Sequence, residues 1–178
     1  MSKKREVWLV CGGREYNNKP VVFRMLDRCL ETYGKPSLVV HGAATGADTL
    51  ASEWAQERGI QEKAVPADWD DLSHPDAIVR TNRRGKKYDA KAGLRRNEKM
   101  LDENEITRVI AFPGGKGTRD MAYRARRRGI GVTHIMPPMR DGKTLSSEER
   151  TQVWIDEAKD IDEETAKKLA DMSKGRKK

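Results

Sequence analysis

Short apolar runs and amphipathic stretches alternate through most of the chain. The apolar runs are continuous, which is typical of strands buried on both faces of a parallel sheet. They lie at residues 7–11, 37–41, 63–65, 109–112 and 130–135, and the run at 63–65 is the weakest. Between them apolar residues recur at helical spacing, as at Val22, Leu26 and Cys29. This alternation predicts an α/β fold, a parallel sheet with helices on both faces.

A glycine-rich turn follows three of these strands. Gly12–Arg14 follows the first strand, Gly42–Gly46 the second and Pro113–Thr118 the fourth. Because the carboxyl ends of parallel strands meet at one edge of a sheet, we expect the three turns to converge there. Glycines let backbone N–H groups approach an anion, and the positive end of the following helix favours the same ligand. The pattern therefore predicts a phosphate site centred on the third turn.

Two stretches, 70–92 and 137–178, depart from this rhythm. The basic residues of the first are Arg80, Arg83, Arg84, Lys86, Lys87 and Lys91. We predict a basic loop inserted into a domain that spans 1–136, and it is either a phosphate-facing arm or a plain surface excursion. In the second stretch, Ser146 precedes Glu149 by three residues, as in a capping box. We predict a C-terminal helical appendage at 137–178 that ends in a disordered basic tail.

The charge balance is compatible with an anionic partner. The chain has 178 residues and a net charge of +8, and 36% of its residues are charged. From Arg140 onward ten Lys and Arg residues balance ten Asp and Glu residues, so the whole excess lies in 1–139. A nucleotide, a nucleic acid or a phosphorylated metabolite fits such a body, and a solvated basic face fits it equally.

Several other classes of protein are disfavoured. Cys11 ends a strand and Cys29 lies in a helical pattern, so we expect both to be reduced core residues. No apolar run approaches the roughly 20 residues that span a bilayer, and no signal-peptide pattern is present. His41, His74 and His134 are scattered, and no metal motif appears. We expect a cytoplasmic protein without a metal or another cofactor.

Five short motifs follow one another in a distinctive order. They are Cys-Gly-Gly-Arg at 11–14, His-Gly-Ala-Ala-Thr-Gly-Ala-Asp at 41–48, Pro-Ala-Asp-Trp at 66–69, Ala-Gly-Leu-Arg-Arg-Asn at 92–97 and Phe-Pro-Gly-Gly-Lys-Gly-Thr at 112–118. Together they resemble the YspA-like branch of the SLOG superfamily, which includes the Lonely Guy phosphoribohydrolases and the Rossmann-like core of the DNA-processing protein A family. The resemblance implies a Rossmann-like domain that binds a nucleotide or nucleotide-derived ligand, and a homo-oligomer.

The resemblance to the Lonely Guy enzymes is greatest at Pro-Gly-Gly-x-Gly-Thr. Those enzymes cleave the base–ribose bond of nucleoside monophosphates with an arginine and a glutamate. Arg96, four residues before Met100, reproduces the spacing of their arginine. Met121, three residues after Thr118, stands where their glutamate lies, and Asp120 is one position early. Because successive helix residues point about 100° apart, Asp120 does not simply take over that role. The resemblance implies binding and leaves catalysis open.

The candidate site residues come from the turns and their flanks. The predicted ligand-binding residues are Gly12, Gly13, Arg14, Gly42, Ala43, Asp48, Asp68, Trp69, Arg96, Asn97, Pro113, Gly114, Gly115, Gly117 and Thr118. The third glycine turn, from which a helix begins, either cradles phosphate or is a plain tight turn with a threonine cap. Asp48 binds a ribose hydroxyl or caps a helix, and Asn97 binds a base or braces the adjacent loop. Trp69 stacks on a base or fills the core.

Three functions follow from these residues. The first is a sensor or sequestering protein for a nucleotide or an ADP-ribose-like ligand. The alternative is a hydrolase of a nucleotide N-glycosidic or phosphate bond, in which Arg96 holds phosphate and Asp48, Asp68 or Asp120 is the acid or base. The second alternative is a single-stranded nucleic-acid binder, based on the basic loop and the arginines at 124–128. It ranks last because few aromatic residues accompany those cations.

Overall fold

The central feature of the fold is a five-stranded parallel sheet. A computed structural model of the protein describes residues 5–135. The strands lie in the order β3-β2-β1-β6-β7, and every neighbouring pair is parallel. The elements are β1 Val7–Cys11, α1 Lys19–Tyr33, β2 Leu38–His41, α2 Ala47–Glu57, β3 Gln61–Ala64, β4 Val79–Thr81, β5 Lys87–Asp89, α3 Ala92–Asp102, β6 Arg108–Ala111, α4 Lys116–Arg127 and β7 Gly131–His134. The predicted α/β fold class is confirmed.

The sheet separates two apolar layers, which explains why its inner strands are continuously apolar. Trp8 and Val10 of β1 pack in the layer that also contains residues of α1 and α2. Leu9 points the other way, into the layer that contains Met100 of α3 and Met121 of α4. Since alternate residues of a strand face opposite sides, both sides of β1 must be apolar to be buried.

The predicted environment of the cysteines is confirmed. Cys11 and Cys29 are both buried and neither forms a disulfide. The start of α1 is also as the sequence indicates, because Asn18 Oδ1 accepts a hydrogen bond from Val21 N at 3.2 Å and a proline lies in the first turn. Within the described residues, no helix has the length and apolar character needed to cross a bilayer. The predicted appendage at 137–178 and its capping box lie outside these residues.

The stretch predicted as a basic loop contains a hairpin. β4 and β5 pair antiparallel, with Val79 opposite Asp89 and Thr81 opposite Lys87. Asn82 Oδ1 closes the turn by accepting bonds from the N–H groups of Arg84 and Lys86 at 2.9 and 3.0 Å. The strands have three residues each and are mostly exposed, so their sequence carries almost no hydrophobic alternation. That is why the pattern did not indicate them.

A buried carboxylate holds the hairpin against α3. Asp89 is fully buried, and its Oδ1 accepts hydrogen bonds from the N–H groups of Ile78 and Lys91, both at 2.9 Å. Its Oδ2 accepts a charge-assisted bond from Arg95. Burial alone would raise the pKa of Asp89, but the bonds from Lys91, Arg95 and Ile78 outweigh it and lower that pKa. The buried, ionised carboxylate of Asp89 therefore holds the hairpin in a fixed position.

His134, the last residue of β7, gives the fold a predictable pH dependence. Its Nε2 lies 2.6 Å from a guanidinium nitrogen of Arg126, and burial together with the charge of Arg126 lowers the pKa of His134 to about 3. The unfolded chain takes up this proton near pH 6.5 and the folded chain does not, so the stability present above that pH is lost as the pH falls. We expect urea unfolding to show a loss of about 2 kcal/mol between about pH 7.5 and pH 5 that His134→Gln abolishes.

A second histidine variant controls for this pH effect. His74 is exposed in the insertion, and His74→Gln should leave the loss between the two pH values in place. Each variant is compared with itself at the two pH values. The contacts that a substitution removes are missing at both values, so their contribution to the free energy of unfolding cancels. A His134→Gln protein that loses as much stability as wild type would contradict the lowered pKa.

Candidate functional site

The three glycine turns meet at the carboxyl edge of the sheet, as the strand order requires. β1 lies between β2 and β6. The chain therefore adds strands first on one side of β1 and later on its other side, so the strand order reverses direction at β1. Gly13 N donates a hydrogen bond to Pro113 O at 2.8 Å, and Ala47 N donates to Gly13 O at 3.2 Å. The first turn is thus bonded to the third turn and to the first residue of α2, which directly follows the second turn.

Side chains larger than hydrogen do not fit at several of these glycines, among them Gly12 and Gly114. A Cβ on Gly12 would lie 2.5 Å from the Cβ of Ala47 and 2.9 Å from that of Phe112. A Cβ on Gly114 would lie 2.2 Å from Thr118 Oγ1 and 2.7 Å from Gly13 N. These glycines are required by the contact of the turns with one another, and this requirement holds with or without a ligand.

The helix α4 begins in the third turn and leaves room in front of it. Its N-cap is Gly115, which provides no side-chain capping bond, and Thr118 lies in its first turn. A Cβ at Gly115 or Gly117 would meet nothing within 4 Å. The first backbone N–H groups of a helix have no carbonyl partner inside it, so this end can receive an anion.

A pocket of about 300 Å³ lies beside the turns, on the side of β2 and β3. It is lined by Arg14, Gly42, Ala43, Ala44, Thr45, Pro66, Ala67, Trp69 and Arg96. We call it the Arg14–Arg96 pocket. It combines two guanidinium groups with an indole ring and the backbone of the second turn. The glycines of the third turn are not part of its lining.

Arg96 projects from α3 and is held from three directions. One guanidinium nitrogen donates to Gly42 O and lies 3.5 Å from Val65 O, while Nε donates to Asn97 Oδ1 at 3.2 Å. Burial lowers the pKa of Arg96, the negative charge of Asp48 opposes this, and the positive charge of Arg14 adds to it. Two cations are therefore kept close together, an arrangement that an anionic ligand would relieve.

Asp48 supports the second turn from below. It is 5% exposed, and its Oδ2 accepts a hydrogen bond from Ala44 N at 3.2 Å. Burial raises its pKa, whereas the bond from Ala44 and the charge of Arg96 lower it. Asp48 does not line the pocket, so in this structure its carboxylate serves the turn and Arg96.

His41 is a site residue that the sequence analysis did not single out for this role. Its Nδ1 accepts a hydrogen bond from Ala43 N at 3.2 Å, and its Nε2 lies 3.0 Å from Glu62 Oε2. The imidazole therefore carries its proton on Nε2 and holds Ala43, whose φ is 54°. A histidine directly before a glycine turn was the available signal.

Asn97 and Asp120 join α3 to α4. The Asn97 side chain is 3% exposed, and its Nδ2 donates to Gly117 O at 3.0 Å and to Asp120 Oδ2 at 2.9 Å. The same carboxylate accepts a bond from Arg124 Nε at 2.9 Å. Neither residue lines the pocket. Met121 is fully buried in the apolar layer beneath α4, away from any polar site.

Trp69 lies between the pocket and the hairpin. The guanidinium carbon of Arg14 lies 4.9 Å from the centre of its ring, and the ring of Tyr88 meets it edge-on at 6.4 Å. Trp69 is half-buried, so part of its surface faces the pocket. Asp68 is exposed and accepts a bond from Asp71 N at 3.2 Å. The structure thus brings Arg14, Trp69 and Arg96 together and leaves Asp68 outside.

Residues 7–71 match the family model described as the YspA, cpYpsA-related SLOG family. Over this range the chain is similar to the YspA-related SLOG family. The matched range includes β1, β2 and β3 and most of the pocket lining. Arg96 and the third turn follow it in the chain. The resemblance inferred from the five motifs is confirmed.

The chain is also similar to individual proteins, one by sequence and others by structure. The chain is 28% identical to the Gene 61 protein of Mycobacterium phage D29 over 134 residues, which cover 71% of this chain and 94% of that protein. The structure of DNA processing protein A from Streptococcus pneumoniae has a TM-score of 0.57 and 22% identity, with 85% of this chain and 56% of that chain covered. This similarity shows the fold, and the chain spans only about half of that protein.

A further similar structure is the Moco carrier protein from Chlamydomonas reinhardtii. Its TM-score is 0.46 at 16% identity, and the match covers 82% of this chain and 80% of the carrier.

Proposed function

We propose that this chain binds a nucleotide or nucleotide-derived ligand in the Arg14–Arg96 pocket. The observation that carries the proposal is the combination of two guanidinium groups and an indole ring in one pocket at the carboxyl edge of a parallel sheet. Ligands of open α/β sheets bind at this edge. The volume of about 300 Å³ is that of a small-molecule site.

The chemistry of the lining suits a ligand with an anionic and an aromatic part. Arg14 and Arg96 present charged N–H donors that recognise phosphate. The half-buried ring of Trp69 offers a surface against which a base can pack. The backbone of 42–45 lines the opposite part of the pocket and can fix the orientation of polar groups.

The same geometry supports binding more than hydrolysis. Of the three carboxylates proposed as acid or base, Asp48 is engaged with the second turn and Asp120 with Asn97 and Arg124, while Asp68 is exposed. None of the three lines the pocket. A protein that binds a nucleotide-derived ligand without a placed acid or base acts as a sensor or a sequestering protein, and this is the role we propose.

Calorimetry with a ligand panel tests the proposal. We expect the chain to bind at least one member of a panel of mono-, di- and cyclic nucleotides and ADP-ribose derivatives. Arg14→Gln removes one charged donor, so affinity for that ligand should fall roughly 10-fold or more, from a charge-assisted bond of about 1.5–3 kcal/mol. Arg24 is exposed on α1, and Arg24→Gln gives the same change in net charge away from the pocket.

Two outcomes would contradict the proposal. One is the absence of heat of binding across the whole panel with folded protein. The other is an Arg24→Gln protein that loses as much affinity as Arg14→Gln, since the effect would then come from net charge and not from the pocket.

A further inference from the structure

A line of two aromatic rings flanked by two cations runs from the pocket onto the hairpin. Arg80 of β4 is directly opposite Tyr88 of β5, so their side chains share one face of the hairpin. Tyr88 in turn meets Trp69 at 6.4 Å, and Trp69 carries Arg14 at 4.9 Å. We call these four residues the hairpin strip. It is longer than a single aromatic ring and continues past the rim of the pocket.

The hairpin adds cations that the described part of the protein does not neutralise. Within residues 5–135, Lys86 pairs with Asp70 and Lys91 with Asp76. The remaining cations of β4, β5 and their turn have no carboxylate partner there, and all are exposed: Arg80, Arg83, Arg84 and Lys87. The only carboxylate of the hairpin, Asp89, is buried and used by Arg95. The outer surface of the hairpin is therefore strongly positive.

This surface is presented in a fixed position. The buried bonds of Asp89 join both ends of the hairpin to α3, and Trp69 O accepts a bond from Asp89 N at 2.9 Å. The strip therefore keeps its spacing without a partner, and a ligand does not have to order it. Preorganised cations and rings are what a polyanion with exposed bases needs for tight binding.

We propose that the hairpin strip binds single-stranded nucleic acid. Arg80 and the cations of the turn contact the phosphate backbone, and unpaired bases pack on Tyr88, Trp69 and the guanidinium plane of Arg14. A duplex hides the faces of its bases, so it can use the cations and not the rings. A single nucleotide can occupy the pocket and cannot reach along the strip. The strip shares Arg14 and Trp69 with the pocket and extends it onto the hairpin. Arg80 and Tyr88 lie outside the pocket lining, so the two proposals can be tested separately.

Fluorescence anisotropy of a labelled oligothymidylate of about 20 nucleotides with the full chain tests this assignment. We expect binding that weakens steeply between about 50 and 200 mM salt, and a matched duplex that competes poorly. Arg80→Gln should reduce the slope of log affinity against log salt by about one. Tyr88→Ala should weaken binding roughly 5-fold or more, which corresponds to the lower end of one stacking contact.

Two further variants separate the strip from folding and from net charge. Tyr88→Phe keeps the ring against Trp69, so it should bind as wild type does, and it remains informative if Tyr88→Ala is unstable. Arg24→Gln removes one exposed cation on α1 and should leave the affinity within about 2-fold of wild type. Equal binding of duplex and single strand, an unchanged affinity and salt slope in Arg80→Gln, or an equal loss in Arg24→Gln would each overturn the assignment.

Discussion

Gly46→Ala is expected to lower the free energy of unfolding by about 2–6 kcal/mol. Gly46 has a φ of 78° and a ψ of −125°, a backbone conformation that costs an alanine about 1–3 kcal/mol. Its new Cβ would also lie 2.3 Å from Gly13 O and 2.5 Å from Arg14 O. These are backbone atoms of the first turn, so no rotamer change relieves the overlap, and overpacking adds about 1–3 kcal/mol. Urea unfolding of the full chain measures the loss.

Gly46→Ala should also affect ligand binding, because Gly46 packs against the first turn. Moving Gly13 and Arg14 away from Gly46 separates the first turn from the second, and both contribute to the Arg14–Arg96 pocket. Under conditions in which Gly46→Ala is still folded, its affinity for a pocket ligand should therefore fall as well. Calorimetry well below the unfolding transition separates this effect from simple unfolding.

Gly59→Ala is the matched control. Gly59 also has a positive φ, 58°, but a Cβ there would meet nothing within 4 Å. Only the dihedral cost of about 1–2 kcal/mol remains. If the two variants lose the same stability, the close packing of the first turn on the second is contradicted. Unchanged ligand affinity in folded Gly46→Ala would contradict the predicted effect of the substitution on the Arg14–Arg96 pocket.

The fold and the meeting of the turns were predictable because each follows from topology. Trp8, Leu9 and Val10 are buried on alternate faces of the sheet. A strand buried on both faces has no polar face, so its sequence is a continuous apolar run that is easily recognised. Once strands and helices alternate, the carboxyl ends of the strands share one edge without further information. The direction of Asp120 was foreseeable for a similar reason, since helical geometry separates it from Met121.

The pocket itself required coordinates. Trp69 and Arg96 are 27 positions apart in the numbering, and no periodic pattern indicates that both line the same cavity as Arg14. The hairpin was missed because two three-residue strands of polar residues have no buried face to reveal them. What fixes it is a single carboxylate, Asp89, whose role depends on bonds to residues on both sides of the hairpin.

Arg96→Gln is expected to weaken the binding of a phosphate-bearing pocket ligand roughly 10- to 150-fold. The substitution removes a charged donor, and a hydrogen bond to a charged group contributes about 1.5–3 kcal/mol. The corresponding nucleoside has no phosphate for this donor, so its affinity should change much less. Calorimetry with the nucleotide and its nucleoside, on wild type and variant, measures the difference. An equal loss for both would show that Arg96 shapes the pocket without contacting phosphate.

The same substitution should change how stability depends on pH. Arg96 lowers the pKa of Asp48 against the effect of burial, so its removal lets that pKa rise further. A carboxyl with a raised folded-state pKa costs stability while it is ionised, and the cost is relieved as the pH falls through that pKa. Arg96→Gln should therefore be destabilised by about 1–3 kcal/mol near neutral pH, also because Gly42 O and Val65 O lose their donor. The deficit should shrink toward about pH 4.

Lys99→Gln provides the control on the same helix. Lys99 is exposed on α3, and its removal changes the net charge by the same amount without touching the pocket. We expect its ligand affinity and its pH profile of unfolding to follow wild type. A deficit in Arg96→Gln that stays constant from neutral pH to about pH 4 would contradict the electrostatic link to Asp48. A nucleotide affinity equal to that of Lys99→Gln would remove Arg96 from the phosphate site.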